Sequence, residues 1–143
     1  MIKVETSDIE ILKTLNAGDI VSISGTIYTA RDAAHKKIFA LMKDDKPLPF
    51  PLRNSFVYYT GATPAKDGEP YGSCGPTTSK RMDVYTPDML DAGLKGIIGK
   101  GARTRAVIDA IKRNGSVYFV AIGGAGAFYK SAIKSAEVIA FPE

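Results

Sequence analysis

The densest chemistry in this chain lies in nine consecutive residues, Gly75-Pro76-Thr77-Thr78-Ser79-Lys80-Arg81-Met82-Asp83. Gly and Pro fix an unusual backbone path there, and three hydroxyls then share the neighbourhood of an arginine. Hydroxyls so placed either cap the helix that follows, as Ser and Thr commonly do, or face a ligand. On residue types alone the cap is the plainer account. Two more cations stand at positions of the same kind: Arg31 opens a helix after a strand, and Lys100 follows another strand. In open α/β sheets ligands bind beyond the carboxyl ends of the strands. A lone cation at such a junction is ordinarily a solvated surface charge. Arg31, Arg81 and Lys100 together, with helix N-termini adding positive dipole ends, point to a site for a dicarboxylate or a phosphate.

Other chemistries are poorly served. The phosphate-loop pattern needs Gly where Leu94 stands and Ser or Thr where Gly101 stands. The dinucleotide pattern fails at Thr104, which follows Gly99 and Gly101, and again at Tyr129, which follows Gly124 and Gly126. Cys74 is the only cysteine and His35 the only histidine. The chain therefore lacks the thiolates of an iron–sulfur centre and the ligands of an ordinary zinc site. Cys74 reads as a small buried or half-buried residue rather than a regulatory thiol, and Tyr28, Tyr58 and Tyr59 as core or interface residues. The formal charge of +4 and pI near 9.1 fit either a mildly basic soluble protein or one that gathers an anionic substrate. No basic run interleaved with aromatics speaks for nucleic acid, and no apolar run approaches the roughly 20 residues of a membrane span. The N-terminal residues have no signal-peptide pattern, so a cytoplasmic protein is expected.

The elements that must position these residues follow from periodicity. The 143 residues fit a single domain spanning 1–143. A strand at Ile2–Thr6 leads to Ser7-Asp8-Ile9-Glu10, which has the form of a capping box opening a helix through Ile9, Leu12 and Leu15. Alternation predicts a strand over Ile20–Thr29. A helix then runs from Ala30 to about Lys43, with Ile38, Phe39, Leu41 and Met42 inward. Pro47, Pro49 and Pro51 mark a loop, and Phe56–Tyr59 a strand. From Gly61 to Arg81 runs a loop of about 20 residues, a length usually functional when ordered. Then come a short helix at Pro87–Leu94, a strand at Gly96–Gly99, a helix at Ala102–Arg113 closed by Asn114-Gly115, and a strand at Ser116–Ile122. A Gly123-Gly124 turn, a helix at Ala125–Ile133 and a strand at Val138–Phe141 complete the pattern. The alternation implies an α/β fold with a mixed, partly parallel sheet flanked by helices.

The motif string GPTTSKRMD closely resembles the GPTT-x-x-RMD signature of the class I fumarase and tartrate dehydratase family, in its C-terminal domain or β subunit. Four other segments resemble that family in the same order. They are GDIVSISGTIYTARDAAH, the loop YYTGATPAKDGEPYGSCGPTT that leads into the signature, GIIGKGARTRAV, and the later turn YFVAIGGAGA. Ala62 departs from a common Pro, and Lys80 fills a position often Gly or aromatic, where it could bias substrate choice.

The resemblance implies a compact, swivelling β/β/α domain and a hydro-lyase that interconverts fumarate and (S)-malate. It implies a [4Fe–4S] cluster held by three cysteines of a separate alpha subunit, with one iron open to substrate as a Lewis acid. Carried over by motif, Thr77 is the general base, and Arg31 and Arg81 hold the substrate carboxylates. Lys100 offsets charge near the reacting carboxylate, while His35, Thr78 and Asp83 are supporting candidates. A heterotetramer of two large and two small subunits is the implied assembly, and the isolated chain could self-associate. The alternatives are the β subunit of an L(+)-tartrate dehydratase and, from another class, a non-catalytic α/β module that binds a small anion.

Overall fold

The structure, a computed structural model, describes residues 2–60 and 79–121. Among them are six strands: β1 (Ile2–Glu5), β2 (Val21–Ser24), β3 (Tyr28–Thr29), β4 (Phe56–Tyr58), β5 (Gly96–Gly99) and β6 (Val117–Val120). They are joined by α1 (Asp32–Lys43), α2 (Thr86–Asp91) and α3 (Arg105–Asn114), with 3-10 turns at Ile9–Thr14 and Ser79–Met82. β1 and β2 form a two-stranded sheet, and β3-β4-β5-β6 a four-stranded one in chain order. Every ladder among the described residues is parallel. The chain has an α/β fold, as its alternating pattern implies.

Side chains leave a strand on alternate faces, and this divides the interior in two. Val57, Tyr59 and Ile97 join Ile38, Met89, Leu90 and Ala110 from the helices. Phe56, Ile98, Val117 and Phe119 turn the other way and meet Ile2, Val4, Val21 and Ile23 of the small sheet. The layers thus run small sheet, large sheet, helices. Neighbouring parallel strands in sequential order, each joined by a right-handed crossover, place all their helices on one face. The second face is left for β1 and β2 to cover.

The helices follow from their apolar spacing. In α1 the buried His35 and Ile38 share a stripe with Ala34 and Met42; Phe39 and Leu41, expected inside, are only half-buried. In α3 the stripe is Val107, Ala110 and Ile111, and the helix ends at Gly115 in the left-handed region (φ 62°), as Asn-Gly predicts. Pro87 in the first turn of α2 sits where its missing N–H costs nothing.

Two expectations are corrected. The capping box does not form: Asp8 occupies the cap position without a side-chain bond, Glu10 pairs with Lys13 at 2.9 Å, and the segment is a 3-10 turn. Ile9, Ile11, Leu12 and Leu15 all serve the small-sheet core, an arrangement that a single α-helical face does not supply. The strand foreseen over Ile20–Thr29 is two strands in different sheets. Gly25 breaks it with φ 120°, a conformation other residues rarely adopt, and its bare α-carbon lies against the Thr6 side chain. The elements foreseen beyond residue 121 lie outside the described residues, as does most of the long loop.

Candidate functional site

The parallel strands of the large sheet end on one rim. The backbone carries its bonds past the strand ends: Ala30 donates to Tyr58 at 3.1 Å, Tyr59 to Ile98 at 2.8 Å and Ala121 to Gly99 at 2.8 Å. Arg31, Tyr59 and Lys100 therefore leave the sheet side by side. Arg31 follows β3 and Lys100 follows β5, two strands apart, which is about 10 Å at the usual strand spacing. The segment after the long loop joins the same rim, where the Ser79 N–H donates to the Lys100 carbonyl at 2.9 Å. Gly99 makes this approach possible, because a β-carbon there would strike the Ser79 hydroxyl and the Tyr59 ring. Arg31 and Arg81 are exposed and Lys100 is half-buried. Thr77 and Thr78 lie outside the described residues, as does Cys74; Ser79, next in the chain, is fully buried.

Arg31 occupies the cap position of α1 in an extended conformation, and His35 fixes its carbonyl twice. The His35 backbone N–H and ring Nδ1 each lie 2.9 Å from the Arg31 oxygen. A carbonyl only accepts, so Nδ1 carries the proton and Nε2 keeps a bare lone pair; Nε2 has no hydrogen-bond partner. Burial is the chief reason the His35 pKa falls from 6.5 to about 4, with the Arg103 charge acting the same way. The ring is neutral at pH 7, edge-on to Tyr59 at 5.1 Å between centroids.

Behind the rim stands a polar cluster that sequence reasoning did not find. Its centre is Arg103, whose side chain is 3% exposed and whose Nε donates to Asp83 Oδ1 at 2.8 Å. The other Asp83 oxygen takes the backbone N–H of Thr104 at 2.7 Å, at the start of α3. Arg103 Nη2 donates to the Tyr59 hydroxyl and to Thr86 Oγ1, both at 3.1 Å. The Thr86 hydroxyl is committed to the Met82 carbonyl at 2.8 Å, so Tyr59 is the donor in their 3.0 Å bond. Tyr59 and Tyr118 present their rings to the guanidinium at 5.1 and 4.8 Å. The Tyr118 hydroxyl donates to the Gly101 carbonyl at 2.8 Å and accepts from Ser79 Oγ at 2.7 Å. Burial pushes the phenol pKa values of Tyr59 and Tyr118 upward, so both stay protonated donors.

The sequence offers one weak signal for Arg103. It precedes the threonine that caps α3, in the loop after a strand, where Arg31 and Lys100 also stand. What distinguishes it is the Asp83 carboxylate, 20 residues earlier in the chain.

Arg31 and Lys100 follow strands that end on this rim, Arg81 lies two residues past Ser79, and the Asp83 carboxylate is already paired with Arg103. The rim does not fit an iron–sulfur cluster. The sequence holds a single cysteine, where three thiolates are needed. Among the described residues no group of His, Cys, Asp and Glu could hold a metal ion, and no helix is long and apolar enough to cross a membrane.

Comparison with known proteins gives these features a setting. The family model described as Fumarase C-terminus matches residues 1–143. "Fumarate hydratase 2" of Leishmania major is 41% identical over 128 residues, which is 88% of this chain and 22% of that protein. "Fumarate hydratase class I, anaerobic" of Escherichia coli is 39% identical over 126 residues, or 86% of this chain and 23% of that protein. "Putative L(+)-tartrate dehydratase subunit beta" of Methanocaldococcus jannaschii is 35% identical over 133 residues, covering 91% of this chain and 68% of its own length. The chain thus spans under a quarter of these two fumarate hydratases and about two thirds of the tartrate dehydratase subunit.

Proposed function

This chain belongs to the Fumarase C-terminus family, and from that premise we propose that it is the β subunit of a two-subunit [4Fe–4S] hydro-lyase, hydrating fumarate reversibly to (S)-malate. The observation that carries the proposal is the shared rim. Arg31 and Lys100 leave strand ends on the same rim, two strands apart, and Ser79, one residue past the GPTT threonines, is bonded to Lys100. The tartrate dehydratase relative, matched over two thirds of its length, bears the name of a separate subunit, which favours a two-chain enzyme.

In this reading the partner alpha subunit holds the cluster and supplies its Lewis-acid chemistry. The present chain binds and deprotonates. Arg31 and Arg81 grip the substrate carboxylates through paired N–H donors. In the dehydration direction the Thr77 hydroxyl, as its alkoxide, takes the proton from the carbon next to a carboxylate, and in hydration it returns that proton. Proton removal builds a dianionic aci-carboxylate, which Lys100 stabilises as a fixed cation. An alkoxide needs the same positive surroundings, and closure between subunits strengthens them by excluding water. We place the enzyme in the cytoplasm as a heterotetramer of two large and two small subunits.

The second reading is L(+)-tartrate dehydration, favoured by the name of the Methanocaldococcus relative. Anaerobic coexpression with a cysteine-bearing large subunit, followed by assays on fumarate and on tartrate, decides between them. We expect copurification and faster turnover of fumarate. Faster turnover of tartrate transfers the chain to the second reading. A chain that never associates with such a subunit is an anion-binding module instead.

A further inference from the structure

We propose that Arg103 is a positioning residue for this site, the pin that sets Lys100 at its working distance from the Ser79–Asp83 segment that carries Arg81; the inference rests on the functional reading above. Arg103 touches no substrate: it is buried, and its charge is balanced by an equally buried Asp83. Its contacts nonetheless reach three strands or segments of the rim. Through Asp83 it holds the residue two places after Arg81. Through Nη2 it holds the Tyr59 hydroxyl, just past β4, and Thr86 at the start of α2. Its guanidinium lies against Tyr118 of β6, whose hydroxyl closes on Gly101 and Ser79, the immediate neighbours of Lys100 and Lys80.

The loop 100–104 is therefore tied down at both ends to the Ser79–Asp83 segment. Ser79 N–H meets the Lys100 carbonyl at one end, and the Asp83 carboxylate takes both Arg103 and the Thr104 N–H at the other. Only a planar fork spans Asp83, Thr86 and Tyr59 at once; a lysine ammonium is a point charge. Among the described residues Arg103 Nη1 finds no hydrogen-bond partner although it is buried, an orphaned donor at the back of the rim. A pair kept for stability alone gains little from such an atom, since burying a polar group without a partner is unfavourable.

The test uses the coexpressed two-subunit enzyme. Replacing only Arg103 strands the buried Asp83 charge and risks misfolding. The informative variant is therefore Arg103→Met with Asp83→Leu, which removes both charges and preserves volume. Arg103→Lys serves as the conservative partner that folds with the charge retained. For the double variant we expect a melting temperature close to wild type. The KM should rise at least fivefold and kcat per folded enzyme should fall at least tenfold, because both Lys100 and the Ser79–Asp83 segment are displaced. Arg103→Lys should fall between. Wild-type KM and kcat per folded enzyme in the double variant, or in Arg103→Lys should the double not fold, overturn the positioning role while leaving the functional reading intact. A wild-type complex inactive on both fumarate and tartrate overturns the functional reading and this inference with it.

Discussion

In the proposed reaction Thr77 and Arg103 have different tasks. A threonine hydroxyl is a poor base in water, so its use requires surroundings that favour the alkoxide, and the cations of the rim are of the right sign. General-base groups contribute roughly 10²–10⁴-fold to rate. Thr77→Ala in the assembled two-subunit enzyme should therefore lower kcat by at least about 100-fold, with subunit association unchanged. Near-normal turnover by steady-state assay removes Thr77 from the role of base. Arg31 and Lys100 could be assigned to the rim from sequence because strand ends near Thr29 and at Gly99 are legible, the first from alternation and the second from a short apolar run between glycines. Arg103 could not. It is one of 19 Lys and Arg residues, and its burial is decided by a carboxylate that only the fold brings near.

The strands and helices place these groups by where they stop. β5 ends at Gly99, and the bare α-carbon there lets the Ser79 segment and the Tyr59 ring close on the strand. Gly99→Ala should force Ser79 away from the Lys100 carbonyl. Overpacking of this kind costs about 1–3 kcal/mol, read as a lower urea midpoint of the isolated chain. Activity of the assembled enzyme should fall by more than the loss of folded protein explains; an unchanged midpoint means the rim yields without strain. Sequence reading located β4, β5, α3 and the Gly115 cap to within about three residues, because their apolar spacing is regular. It missed the 3-10 form of Ile9–Thr14 and the passage of the chain between sheets at Gly25. Both depend on partners distant in sequence.

For the protein as a whole, the buried His35 makes stability depend on pH. Its imidazole titrates near 6.5 when unfolded and at about 4 when folded, chiefly through desolvation. Between those values the unfolded chain binds the proton and the folded one does not, so stability rises with pH across that window. The contribution is complete above about pH 6.5 and is lost as pH falls toward 4. It amounts to on the order of 3 kcal/mol at 1.36 kcal/mol for each pKa unit. Urea unfolding at intervals from pH 4 to 7 should show this slope, and His35→Phe should flatten it whatever its overall stability. An equal slope in the variant assigns the acid limb to other groups.

The order of the large sheet bears on how the protein is made. Each strand from β4 to β6 lies beside the one synthesised just before it, so a nascent chain emerging from the ribosome adds each new strand to an edge already present. No described strand of this sheet must insert between two earlier ones. Pairing with the preceding strand keeps each loop about as short as a parallel crossover allows, which limits the entropic cost of closing it. Each new strand covers the edge left by the one before it, which shortens the time that edge is open to a wrong neighbour.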